Sequence, residues 1–212
     1  MGRQGLAITG AQLHLSMAGS RIRGRPLNGG RQRMRTESSP SVLRALRNLL
    51  ERYDLAALPA SEYTLFGSAV RALWTRETTA NVNVAFVSES SRAQFAAQLT
   101  ASPFVVSSPV IYSDPTCVLR DADFTVCQIA FHDGEFLIGS HFFEHVAQRL
   151  LTVNRISPSR ALISLLRTYK YASRGYGIPF PEFLRIIDLL PKDFPELNPE
   201  EVARHSGGVV IV

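Results

Sequence analysis

The segment around Gly67-Ser68 constrains the fold of this chain more than any other. It follows the apolar stretch 63–66, and a dozen residues separate it from Asn81-Val82-Asn83-Val84. This order predicts a strand, a tight turn, a short helix and a second strand. Because side chains alternate along a strand, Asn81 and Asn83 are expected on one face of the second strand. The turn and both amides are therefore predicted to point at one place.

The two asparagines decide which ligand such a site can hold. Aspartates at positions 81 and 83 would form a clamp of hard oxygens for Mg²⁺, beside a turn whose N–H groups could hold a triphosphate. Asparagine keeps the shape of this clamp but brings no negative charge. We therefore expect the site to bind a metal ion weakly.

Length and composition indicate one main domain with appendages. The chain has 212 residues, 45% of them hydrophobic and 19% charged, which is enough to bury a core. No apolar run approaches the roughly 20 residues of a membrane span, and no secretory or lipidation signal follows Met1. We expect a soluble, intracellular protein without a membrane partner. Cys117 and Cys127 are expected to be buried thiols, with a hairpin disulfide as the alternative.

Positive charge is concentrated at the N-terminus. The net charge is +5, and residues 1–35 contain seven arginines and no acidic residue. Residues 1–40 are therefore predicted to form a basic arm that is flexible or ordered by a partner. A cleaved organelle-targeting peptide and a solubilising tail are the alternatives. The candidate nucleic-acid contacts in this arm are Arg21, Arg23, Arg25, Arg31, Arg33 and Arg35.

The pattern of apolar residues predicts an α/β fold, with a small mixed sheet flanked by helices and followed by a helical region. The division is a basic arm over 1–40, an α/β core over 41–155 and a helical C-terminal region over 156–212. Helices are predicted over 42–53, 68–74, 88–99, 142–151, 158–172, 181–190 and 199–205. Strands are predicted over 63–66, 82–87, 104–111, 117–119, 124–131 and 135–138, with a hairpin at Asp133-Gly134.

The segment from Gly67 to Val84 resembles the DNA polymerase beta-like nucleotidyltransferase superfamily. Within it, residues 67–73 are most similar to the opening of poly(A) polymerases and tRNA CCA-adding enzymes. The resemblance implies their fold, with Gly67 and Ser68 facing a triphosphate and Arg71 on the helix behind them. It places Asn81, Asn83 and Asp123 at the catalytic, metal-binding positions. Asp121 is the second candidate for the position given to Asp123. From the residues alone, Asp121 and Asp123 could equally solvate the end of a strand.

A second segment resembles a basic helix of the same enzymes. It comprises 158–160 and 170–178, and the resemblance implies that Arg160, Lys170 and Arg174 contact phosphate. Ser157 and Ile163 depart from that pattern. Arg167, Lys170 and Arg174 share one helical face at spacings of three and four, which is also typical of a solvated surface.

The resemblance implies transfer of a nucleoside monophosphate from an NTP to a hydroxyl acceptor, with Mg²⁺ as cofactor and nucleotide and RNA, rather than DNA, as partners. Because two of three carboxylates are replaced, we expect little or no transferase activity from the chain as written. Two explanations of the asparagines remain open: natural loss of the catalytic aspartates, or their deliberate replacement in an active enzyme. The alternative function is a non-catalytic nucleic-acid-binding or assembly subunit that uses the basic arm and has a protein partner.

One short pattern points to a different chemistry. His141-Phe142-Phe143-Glu144-His145 matches the His-x-x-Glu-His pattern of inverted zinc peptidases. No third ligand further along the chain is evident, and five residues recur by chance. We expect Phe142, Phe143 and Val146 to contact the core, with the polar residues facing water or capping the helix.

Overall fold

A computed structural model of the chain describes residues 25–27, 31–35, 39–52, 55, 59–75, 77, 82–98 and 111–191. For the two N-terminal segments the description covers the backbone. Asn81, Arg21 and Arg23 lie outside the described residues, as do the predicted helix over 199–205 and most of the predicted strand over 104–111.

The described strands form one sheet in the order β1-β2-β6-β5-β3-β4, and all neighbouring strands in it are antiparallel. A single parallel bridge joins Phe86 to Ile111 beyond the last strand. The strands are β1 (Arg25–Leu27), β2 (Arg31–Arg35), β3 (Tyr63–Phe66), β4 (Asn83–Phe86), β5 (Ile129–His132) and β6 (Glu135–Ile138).

Helices cover the sheet and extend the chain beyond it. They are α1 (Pro40–Arg52), α2 (Ser68–Thr75), α3 (Glu89–Gln98), α4 (Cys117–Arg120), α5 (Phe142–Ala147), α6 (Ala161–Ala172) and α7 (Phe180–Ile187). The predicted α/β class, with a sheet flanked by helices and a helical C-terminal region, is confirmed. Within the described residues no helix is long and apolar enough to cross a membrane.

Strand register separates the two faces of the sheet. Leu65 pairs with both Val84 and Phe131, so these side chains share one face, which α1, α2, α3 and α5 cover to form the main core. Ala85, Ala130 and Leu137 occupy the other face and pack against α4. A further core joins the 124–127 segment to α6 and α7.

Two turns confirm the predictions made for them. Asp133 and Gly134, at φ 45° and 78°, connect β5 to β6 in a two-residue hairpin, which requires positive φ at both positions. Gly67, at φ 72°, connects β3 directly to α2. This left-handed conformation favours glycine because it has no Cβ.

The predicted strand over 117–119 is wrong, because these residues form the short helix α4. Asp114 accepts the N–H of Thr116 at 2.9 Å and the Thr116 hydroxyl at 2.7 Å, which starts the helical turn. Pro115 then suits the first turn because its ring fixes φ near the helical value. The sequence contained this start signal, and the apolar run after it was misread as a strand.

The predicted strand over 124–131 is correct only in its second half. Residues 125–127 form a 3-10 turn, with the N–H of Cys127 bonded to the carbonyl of Phe124 at 2.9 Å. Phe124 instead bridges to Val153, so the chain bends before it enters β5. Helix α5 likewise ends before the predicted residue, because Leu150 bridges to Gly177.

Two segments assigned to the basic arm are strands instead. Arg25 lies on β1, and Arg31, Arg33 and Arg35 lie on β2, which pairs with β6 at the edge of the sheet. The backbone of β2 forms an antiparallel ladder with β6, so residues 31–35 belong to the sheet, which the composition of this segment did not suggest.

Replacing Phe136 with alanine is expected to destabilise the fold by about 3–5 kcal/mol. Its side chain is fully buried, with ring centroids 5.5 Å from Trp74 and 5.2 Å from Phe131. Urea unfolding measures the loss. The matched control is Phe180→Ala, because Phe180 is 70% exposed and its removal should change stability by no more than about 0.5 kcal/mol. Equal losses in the two variants would contradict this description of the core.

Candidate functional site

The turn between β3 and α2 brings Gly67 and Asn83 together. Asn83 pairs with Phe66 at the end of the sheet, and a Cβ added to Gly67 would lie 3.0 Å from the Asn83 amide nitrogen. The N–H of Gly67 is bonded to the carbonyl of Ile129 at 3.0 Å, which fixes the turn against β5. The structure therefore joins two of the predicted site residues, with Ser68 beginning the helix beside them. We call this arrangement the Gly67 corner.

Arg71 lies one helical turn after the corner, where its guanidinium is completely buried. Two of its N–H groups donate to the same oxygen of Glu77, at 3.0 and 3.2 Å. A third reaches the hydroxyl of Tyr171 at 3.0 Å. Arg71 therefore faces protein acceptors in this conformation, and its predicted contact with phosphate stays a prediction.

The second carboxylate oxygen of Glu77 accepts hydrogen bonds from a further basic residue and from an aromatic one. Arg149 donates to it at 3.1 Å, and the Tyr176 hydroxyl donates at the same distance. Arg174 approaches the first oxygen at 4.0 Å. The guanidinium carbons of Arg71 and Arg149 lie 5.8 and 5.1 Å from the centre of the Tyr176 ring, which adds cation–π contacts.

The pKa values of Arg71 and Tyr176 are shifted in the directions that this geometry requires. Burial alone would lower the pKa of Arg71, but Tyr171, Cys127 and Glu77 together raise it, so the guanidinium stays charged. Burial also raises the pKa of Tyr176 to about 12, so its hydroxyl stays a donor. The cluster is thus a buried positive charge neutralised by one carboxylate.

Asp123 is the carboxylate that the resemblance assigns to metal binding, and α6 engages it. It is 3% exposed, and Arg167 donates to it at 2.6 Å, with Ser164 at 3.5 Å. Its other oxygen accepts the N–H of Phe124. Burial raises the pKa of Asp123, but Arg167, Arg160 and the N–H of Phe124 together hold it below the usual value. Its contribution to stability is therefore present above the ordinary carboxyl pKa and lost as pH falls through the lowered value.

These residues do not fit a Mg²⁺ site. Mg²⁺ takes oxygen ligands in a nearly ideal octahedron, and protein sites usually hold it through one or two carboxylates that are available to the ion. Asn83 brings a neutral amide, and the charge of Asp123 is balanced by Arg167. Asp121, the second candidate for the third metal ligand, forms ion pairs with Arg120 at 3.1 Å and Arg155 at 3.4 Å.

The predicted basic face is only partly on α6. Arg167 and Lys170 lie on the helix, whereas Arg174 lies in the turn that follows its last residue, Ala172. Burial lowers the pKa of Lys170, and the positive charges of Arg174 and Arg167 lower it further. Arg160 is exposed and makes a long contact of 3.5 Å with the carbonyl of Asp121. Contact of Arg160, Lys170 and Arg174 with phosphate stays a prediction.

Sequence reasoning missed Glu77. Only its place in the chain offered a signal, because it is an acidic residue immediately after a helix that carries an arginine. Its partner Arg71 is only six residues away, but that Arg71 is buried, and that Arg149 and Tyr176 also contact Glu77, depends on residues far away in sequence. Both cysteines are free thiols: Cys127 is buried as predicted, whereas Cys117 is partly exposed.

No family model matches the chain. A curated relative, Gabija anti-defense 2 of Bacillus phage SPbetaL7, is 28% identical over 174 residues, which cover 72% of this chain and 43% of that protein. The chain therefore spans less than half the length of this relative.

Similar solved structures include CCA-adding enzymes. One in complex with CTP has a TM-score of 0.47 at 14% identity, over 71% of this chain and 42% of that one. The Thermotoga maritima enzyme with tRNA gives 0.46 at 14% identity, over 81% and 52%. A tRNA-processing enzyme gives 0.49 at 12% identity, over 81% and 53%. TM-scores of this size do not by themselves establish a common fold.

Removing the charge of Glu77 should destabilise the chain strongly. Glu77→Gln leaves the buried Arg71 cation without its counter-charge, which costs about 3–5 kcal/mol. The matched control is Glu89→Gln, which breaks an exposed ion pair with Arg92 and should cost less than about 1 kcal/mol. Chemical denaturation of both variants measures the difference. A Glu77 variant as stable as the control would show that Arg71 is not neutralised as described.

Proposed function

We propose that this chain is a nucleotidyltransferase-like protein that binds a nucleoside triphosphate at the Gly67 corner with little or no transfer. The observation that carries the proposal is the convergence of the Gly67 turn with the Asn83 amide where α2 begins. The same segment carries the sequence resemblance to nucleotidyltransferases.

The corner offers donors rather than charges. The first turn of a helix has N–H groups without an intrahelical acceptor, and the helix dipole favours an anion there. Ser68 brings a hydroxyl and Asn83 an amide, both of which can donate to a phosphate oxygen. Binding would therefore rest on hydrogen bonds and the dipole of α2, which act at any Mg²⁺ concentration.

Weak or absent transfer follows from the charge balance. A metal-dependent transferase needs carboxylates that are free to hold the ion. Asparagine replaces two of them in this sequence, and Arg167 neutralises Asp123. Nucleotide binding without turnover is the function that these residues support.

A polynucleotide, RNA rather than DNA, is the proposed macromolecular partner. Exposed Arg160 at the start of α6 and Lys170 in its last turn provide positive charge on the helical region, and the basic N-terminal segment provides more. The non-catalytic alternative, in which the arm alone holds nucleic acid or an assembly partner, has a different expectation. Salt-sensitive polynucleotide binding would then disappear when the seven arginines of residues 1–35 are changed to glutamine, which keeps β1 and β2 in the chain, while NTP binding would be absent.

Ser68→Ala and Asn83→Ala are expected to weaken ATP or CTP binding by roughly tenfold each, because each removes a hydrogen bond to a charged group. Ser90→Ala is the matched control, since this exposed serine also lies in the first turn of a helix. Isothermal titration with and without Mg²⁺ measures the affinities. Wild-type affinity should change little when Mg²⁺ is removed, whereas the double variant N81D/N83D should become dependent on it.

Several results would overturn this proposal. They are the absence of NTP binding at millimolar nucleotide, equal losses in the Ser68 and Ser90 variants, or wild-type binding that requires Mg²⁺. Circular dichroism spectra of all variants establish that each is folded, so that lost binding reports on the corner itself.

The curated relative suggests a biological setting. Its name, Gabija anti-defense 2, belongs to that phage protein, and 174 aligned residues connect it to this chain. We propose that this chain likewise counteracts a prokaryotic defense of the Gabija type, through the nucleotide held at the Gly67 corner.

Expression of the chain in cells that carry Gabija defense is expected to restore phage plaque formation. Asn83→Ala should lose most of this effect, because the proposed role depends on nucleotide at the corner, and Ser90→Ala should keep it. The relative itself serves as the positive control. Unchanged protection by the defense system, with the chain well expressed, would contradict the proposed role and leave the nucleotide site to its own test.

A further inference from the structure

A second cluster of functional side chains lies on α5 and the turn before it. His141, Glu144 and His145 each present a ligand atom, and these atoms all lie within 4.8 Å of one another. The two imidazole rings are stacked, with centroids 5.4 Å apart and planes at 16°. One helical turn separates the histidines, so the backbone itself holds them on the same side.

We propose that His141, Glu144 and His145 form a binding site for a transition-metal ion of the Zn²⁺ class. Two imidazoles and a carboxylate are a donor set that suits Zn²⁺ and leaves a fourth position of the tetrahedron open. The site is separate from the Gly67 corner, and its donors are imidazoles instead of amides. It uses a different kind of ion from Mg²⁺, which prefers oxygen ligands.

The orientation of His145 is the observation that favours a ligand role over a solvated surface. Its Nδ1 lies 2.7 Å from the hydroxyl oxygen of Thr125, and that hydroxyl lies 3.4 Å from the carbonyl of Thr152. If the hydroxyl donates to the carbonyl, it accepts the proton on Nδ1, which leaves the lone pair of His145 on Nε2. Metal-binding histidines are typically held in this way by a partner on the other ring nitrogen.

The distances allow the cluster to close around an ion. Ligands at about 2.1 Å from a tetrahedral Zn²⁺ lie about 3.4 Å from each other, somewhat closer than the present limit. The side chains of His141 and Glu144 are 61% and 58% exposed, so they can move without disturbing the core. Their mutual contact of 3.4 Å is long and would be exchanged for bonds to the metal.

The fourth coordination position of such an ion would face a pocket. The two histidines line a pocket together with Thr125, Gln128 and Arg155. Phe142, between the histidines in sequence, is fully buried in the main core, and Phe143 and Val146 pack against that core, as predicted. The apolar residues thus anchor the helix while its polar face meets a polar pocket, where water or an oxyanion could complete the coordination.

The full chain, without a histidine tag, is expected to bind one Zn²⁺. Co²⁺ should produce the visible absorption of tetrahedral coordination, and added Zn²⁺ should displace it. His141→Ala and His145→Ala should each weaken Zn²⁺ affinity by at least about tenfold, and Glu144→Gln by a smaller factor. Thr125→Val should weaken it by roughly ten- to a hundredfold without removing a ligand.

The control is His14→Asn, which removes an imidazole from the part of the chain that the structure does not describe. It should bind Zn²⁺ as the wild type does. Because His141 and Glu144 are exposed, their variants are expected to melt at the wild-type temperature, so lost binding would report on the site. The proposal is overturned if the His141 and His145 variants bind Zn²⁺ as tightly as the wild type, or if Co²⁺ gives only an octahedral spectrum.

Discussion

The buried positive charge of Arg71 is the constraint to which much of this structure is adjusted. A guanidinium without solvent must find a counter-charge and acceptors for its N–H groups. Glu77 supplies the charge, and Tyr171 on α6 supplies another acceptor. The helix that begins at the Gly67 corner is therefore joined to α6 by a hydrogen bond from the buried guanidinium to the Tyr171 hydroxyl, in addition to the apolar packing around it.

Because of such ion pairs, several basic residues near the corner contact carboxylates of the protein. Arg71 and Arg174 both lie near the carboxylate of Glu77, and Arg167 neutralises Asp123. Glu77 thus balances the buried charge of Arg71 and Arg167 balances Asp123, whereas Arg149 and Arg174 leave net positive charge beside Glu77. The Gly67 corner itself carries no charged side chain, because a glycine turn, the Ser68 hydroxyl and the Asn83 amide form it.

Local sequence predicted local structure well, and failed where distant residues decide. Gly67 and the alternation around Asn83 were readable because a turn needs positive φ and a strand has a period of two. The role of Asp123 was not readable, since its partner Arg167 is 44 residues away. Glu77 escaped notice for the same reason. The helix at Cys117 is different: Asp114-Pro115 signalled it locally, and the apolar residues that followed outweighed that signal.

The two proposed sites share one end of the sheet while differing in chemistry. Ile129 accepts the N–H of Gly67, and the preceding residue, Gln128, lines the pocket beside His141 and His145. A Cβ on Gly139 would come within 2.7 Å of Gln128, so β5 and β6 must approach closely there. Consecutive residues, Gln128 and Ile129, thus contact the pocket of the histidine cluster and the Gly67 corner. Hydrogen-bond donors bind phosphate and imidazoles bind Zn²⁺. Substitutions that remove one site should therefore leave ligand binding at the other unchanged.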